Sequence, residues 1–101
     1  MGIDIESTAL IDRHPVVDAL LHPGELATSA RDVARLWVAK EALLKATGDG
    51  LNIDLREIGL EVSGSHAIVK AWPPGHPVPD PTITFFELGD DIVGALAELG
   101  R

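Results

Sequence analysis

Two short stretches hold residue types that could do chemistry on a phosphate. The opening run GIDIE, Gly2 to Glu6, alternates apolar residues with Asp4 and Glu6. Side chains of a strand alternate between its faces, so both carboxylates project from one side, two residues apart. Like charges so placed repel. A divalent cation between them relieves the repulsion, and Mg²⁺ takes a few carboxylate oxygens together with phosphates and water. Standing alone, the run reads more simply as the solvated face of an edge strand. The second stretch, WVAKEALLKATGDGL from Trp37 to Leu51, carries Lys40, Glu41 and Lys45.

A helix must position that second group. Ser29 is placed to cap it with Asp32 three residues on, Ala, Leu, Lys and Glu fill its interior, and Gly48 ends it. At 100° per residue Val33, Leu36, Trp37, Leu43 and Leu44 fall on one stripe facing a core. Lys40 lands inside that apolar arc, Glu41 at its edge, and Lys45 one turn beyond Glu41. An unpartnered buried charge costs several kcal/mol, so these groups are expected to meet a counter-charge or a ligand. The plainer alternative is that Lys40 snorkels while Glu41 and Lys45 form an ordinary i,i+4 pair.

The rest of the chain reads as an α+β domain spanning residues 1–101, an antiparallel sheet packed on one long helix. Asp12 before Pro15 and His22 before Pro23 look like two helix starts, with Val16, Val17, Leu20 and Leu21 as an apolar side. His14 and His22 read as cap or surface residues, because two histidines on different elements make no ligand motif. Ile58, Leu60 and Val62 alternate, Ser63 to His66 supplies a turn, and Ala67 to Trp72 returns as a strand. Pro73 to Pro81 holds five of the seven prolines and forms a stiff loop with His76 exposed. Thr82 to Leu88 and Ile92 to Leu99 flank Gly89, Asp90 and Asp91, a second hairpin signal; the last segment by itself suits a strand or a helix, the turn favours a strand through Ala97, and Trp72, Phe85 and Phe86 read as core aromatics.

Composition narrows the function. The 46% hydrophobic content suits a globular core, and no apolar run approaches the ~20 residues that span a bilayer. With no basic and apolar leader and no cysteine, the expected location is the cytoplasm, without disulfides or thiolate chemistry. A net charge of −8 argues against nucleic acid. Half of the eight basic residues nevertheless sit on the long helix. Arg31, Arg35, Lys40 and Lys45 could form a local positive patch for an acidic partner, or Arg31 and Arg35 could be a solvated helix face.

GIDIE together with WVAKEALLKATGDGL resembles the 4′-phosphopantetheinyl transferase superfamily. Its signatures are a G-[IV]-D-[IV]-E strand and a later W-[ST]-x-K-E-A-x-x-K-A-x-G-x-G-[LI] helix. The second is matched at Trp37, Lys40, Glu41, Ala42, Lys45, Ala46, Gly48, Gly50 and Leu51, and departs at Val38. The resemblance implies Mg²⁺ held by Asp4, Glu6 and Glu41 on the pyrophosphate of coenzyme A, with Lys40 and Lys45 near the phosphates. Glu25, in the HPGE run, takes the place of an upstream Glu with a proposed general-base role. Arg13, close behind the metal strand, is a further candidate for a phosphate contact. The implied reaction moves the 4′-phosphopantetheine arm onto a serine of an acyl or peptidyl carrier protein in fatty acid, polyketide or peptide synthesis, releasing 3′,5′-ADP. Two-half members are twice this length, and this chain corresponds to their second half. Single-half members associate, so a homo-oligomer, dimer or trimer, is expected. The alternative is a non-catalytic relative, acting as an interaction module or as a subunit needing a partner chain.

Overall fold

The computed structural model describes residues 1–9, 20–25, 27, 29–50 and 52–100. Strand β1 (Gly2–Ser7) is followed by helix α1 (Ala30–Thr47) and a 3₁₀ turn over Leu55–Glu57. The hairpin β2 (Gly59–Ser63) and β3 (His66–Ala71) and the hairpin β4 (Pro81–Glu87) and β5 (Ile92–Leu99) complete the described elements. The five strands form one antiparallel sheet in the order β1-β5-β4-β3-β2. This is the expected α+β architecture, one long helix on one face of an antiparallel sheet.

Local chemistry sets the helix ends. Ser29 Oγ accepts from the Asp32 N–H at 3.1 Å, and Gly48 takes the left-handed φ of 80° that the C-terminal turn requires. The apolar stripe is wider than five residues. Val33, Leu36, Leu43 and Leu44 are buried as expected, Trp37 only partly, and Ala34, Val38, Ala39 and Ala42 are buried with them. These pack mainly on β1 and β5 and more lightly on β4. The sheet contributes Leu60, Ala67, Ile83, Phe85, Val93, Ala95 and Ala97 to the same core.

β1 lies at the sheet edge, but its acidic face is not the solvated one. Gly2 is buried and Asp4 and Glu6 are half-buried toward α1, whereas Ile3 and Ile5 stand about half exposed on the outer face. Gly2 explains the approach of the layers, because a Cβ there would lie 1.9 Å from the Ala42 carbonyl oxygen of α1.

Several expectations are corrected. No helix starts at Pro23: His22 to Glu25 is a turn, closed by the Glu25 N–H donating to the His22 carbonyl at 2.9 Å. His76 is half-buried, not exposed, and the last strand runs beyond Ala97 to Leu99. Phe85 is a core aromatic, but Phe86 lies on the opposite sheet face, its ring over Gly94, and Trp72 is only partly buried. The start read at Asp12 and Pro15, with His14, Val16 and Val17, lies outside the described residues.

Candidate functional site

Strand β1 and the C-terminal half of α1 meet where the two sequence motifs face one another. Lys45 Nζ donates to Asp4 Oδ1 at 2.9 Å and to the Ile3 carbonyl at 3.1 Å, while remaining open to solvent on its other side. It therefore pairs across the junction with the strand, not along the helix as an ordinary surface pair. Asp4 Oδ2 is buried and, among the described residues, has no hydrogen-bond partner. Burial, and then the charge of Asp4, push the Glu41 carboxyl above its ordinary value, with Lys45 opposing. Two carboxylates that repel, one with an orphaned oxygen, and a solvent-facing ammonium are the ingredients of a cation and phosphate site.

Glu6 stands on the same strand face but its Oε1 accepts from the Ser7 N–H at 3.2 Å. Among the described residues no three acidic or histidine side chains form a group that could hold a metal ion. Of the expected Asp4, Glu6 and Glu41, the structure brings Asp4 and Glu41 together, and Glu6 lies on the same face of β1 as Asp4.

Lys40 and Glu25 are somewhere else. Lys40 is fully buried and donates to Glu25 Oε1 at 2.6 Å, the Leu20 carbonyl at 2.7 Å and the Leu55 carbonyl at 3.1 Å. Glu25 Oε1 also accepts from the His22 N–H at 2.8 Å, and Oε2 from the Leu60 N–H at 2.9 Å. Burial lowers the Lys40 ammonium's affinity for its proton, and the bond to Glu25 opposes that effect. The lysine in the apolar arc meets a counter-charge, as a buried ammonium must. What sequence reasoning misses is that its partner is Glu25, the residue to which the resemblance gives a base's role. One signal was present: a buried lysine demands a carboxylate, and the Glu of the HPGE turn lies only a short way upstream.

The basic helix patch is also reduced. Arg31 pairs with Glu87, and Arg35 donates to the Gly64 carbonyl and lies 4.4 Å over the Phe85 ring. Arg13 lies outside the described residues.

The sequence profile of the 4′-phosphopantetheinyl transferase superfamily matches residues 1–71, from β1 through β3. The chain belongs to that superfamily. Membership implies a phosphopantetheinyl transferase, with coenzyme A and a carrier protein as its partners in general terms. No curated protein sequence matches the chain significantly. The motif residues of the superfamily thus fall into two groups in this member. Asp4, Glu41 and Lys45 meet at the strand and helix junction, and Lys40 is buried with Glu25. No described helix is long and apolar enough to cross a membrane.

Proposed function

We propose that this chain transfers the 4′-phosphopantetheine arm of coenzyme A to a serine of an acyl or peptidyl carrier protein, with Mg²⁺ as cofactor and 3′,5′-ADP as product. The observation that carries the reading is the buried, unpartnered Asp4 Oδ2 beside Glu41 and Lys45. An orphaned carboxylate oxygen on a residue that repels a second carboxylate fits a hard cation, and Mg²⁺ is commonly held by one or two carboxylates, its other positions going to water and phosphate. Asp4 and Glu41 would hold it, and Glu6, on the same face of β1 as Asp4, is the third carboxylate that the resemblance assigns to it. The ion would supply charge neutralisation for a pyrophosphate under attack by a hydroxyl.

The chain's own residues do the rest. Lys45 places a fixed ammonium at the mouth of the junction, where it can meet a phosphate oxygen and offset the charge that grows on the departing phosphate. Lys40 and Glu25 play a structural part instead. Both Glu25 oxygens are engaged, so the pair braces the turn, the helix and the start of β2. The exposed isoleucines of β1 support a homo-oligomer, since a free edge strand with an apolar outer face is an association surface.

Substituting Glu41→Ala is expected to abolish transfer from radiolabelled coenzyme A to a panel of apo carrier proteins, with the circular dichroism spectrum unchanged. Retained labelling of any carrier at the wild-type rate would overturn the assignment.

A further inference from the structure

At the far edge of the sheet from β1, a groove of ≈ 550 Å³ lies between β2 and the N-terminal half of α1. Leu60, Glu61 and Val62 form one wall, Arg35 and Leu36 the other, and the His22–Glu25 turn closes one end. In an antiparallel pair each residue turns its N–H and C=O to the same side, and successive residues alternate. Ser63 opposes His66 across the turn and Glu61 opposes Ile68, so these bond to β3 while Leu60 and Val62 turn outward. The Leu60 N–H fixes the phase, because it points away from β3 to Glu25 Oε2 at 2.9 Å. What then faces the groove is a row of acceptor, donor and acceptor: the Leu60 C=O, the Val62 N–H and the Val62 C=O. Among the described residues nothing bonds to them.

Edge strands are ordinarily blocked by proline, by bulges or by a covering element. Here, among the described residues, the bulge between Gly59 and Leu60 and the Glu25 carboxylate block only the first residue of the edge. The row beyond it is complementary to the main chain of another extended segment, which offers donor, acceptor and donor at the same spacing. We propose that this groove docks an extended, unstructured peptide segment of another protein, which adds to β2 as a sixth strand. Alternate side chains of such a segment point toward Leu36 and Val62 and are small and apolar. The others point past Glu61 and Lys70 to solvent and are polar. A second copy of this chain fits less well, because the two-fold pairing that overlaps the whole of β2 sets Glu61 against its own counterpart. The inference stands apart from the transfer reaction, since none of Asp4, Glu41 or Lys45 lines the groove.

The test is amide hydrogen exchange by NMR on the full chain, with an acetylated and amidated Thr-Val-Thr-Val-Thr peptide as the probe. Without the peptide, the Val62 N–H exchanges much faster than those of Glu61 and Ser63. At saturating peptide it slows by about tenfold or more, whereas a peptide N-methylated at alternate residues has no effect. Val62→Pro removes only an outward N–H, which an edge strand tolerates, and abolishes binding while leaving the remaining spectrum intact. Ile68→Ala, on the outer face of β3, leaves binding unchanged and serves as the folded control. The proposal is overturned by protection of Val62 in the isolated chain, by association of the chain that buries β2 against itself, by binding that survives N-methylation, or by no binding at millimolar peptide.

Discussion

The two lysines of the long helix show how residues of one type take opposite roles from their surroundings. Lys40 has no exposure and is held by one carboxylate and two carbonyls, whereas the Lys45 side chain is 54% exposed and held by one carboxylate and one carbonyl. Removing one member of a buried ion pair strands the other, which costs about 3–5 kcal/mol. Lys40→Met is therefore expected to lower stability by that amount in urea unfolding. Adding Glu25→Gln to it should recover part of the loss, because an amide tolerates burial better than a carboxylate does. Glu41 carries a pH signature of the opposite sense to most carboxylates. Its folded-state affinity for the proton is raised, so the folded chain binds more protons than the unfolded chain as pH rises from its ordinary value of 4.5. Glu41's contribution is complete below that value and is lost as pH rises through the folded-state value. Glu41→Gln is expected to be more stable than the parent at neutral pH, with the difference vanishing in mild acid. Thermal unfolding at a series of pH values measures it, and added Mg²⁺ should narrow the gap by stabilising the parent alone.

At the scale of elements, the site exists because one strand and one helix touch. Gly2 makes that contact possible, since any side chain there would collide with the Ala42 and Ala46 backbone. Gly2→Ala must push β1 and α1 apart or strain both, an overpacking that costs about 1–3 kcal/mol or more. It is expected to lower the melting temperature and also to weaken Mg²⁺ binding, by separating Asp4 from Glu41; an unshifted melting curve would show that the two layers are not in contact there. The helix itself was legible from its cap, its apolar spacing and its terminal glycine, because those signals act within a few residues. So was the first hairpin, whose turn is short and whose strands alternate; the second was legible from its turn, while IVGALAEL by itself suited a helix as well as a strand. The turn at His22 was not, because proline and a polar neighbour suit a turn as well as a first helical residue. The choice there is made by Glu25 reaching across to Lys40, a partner fifteen residues away.

For the whole molecule, the uncovered outer face of the sheet is the feature that the isolated chain leaves unexplained. Ile3 and Ile5 on β1 and Ile68 on β3 are about half exposed, and Phe86 lies over Gly94 between them. Burial of that face against further copies is expected to give a dimer or trimer in light scattering. Ile5→Glu should shift it toward monomer without unfolding it; a strict monomer at high concentration would refute the association. Sequence alone determined the superfamily, the long helix, the strand that carries Asp4 and the carboxylates that face one way, because these depend on residue type, spacing and short-range geometry. Only the tertiary structure decided which charges meet. Lys45 went to Asp4 and Lys40 to Glu25 because packing the helix against β1 brings one lysine to the open junction and drives the other into the core, and burial decides which partner each charge must find.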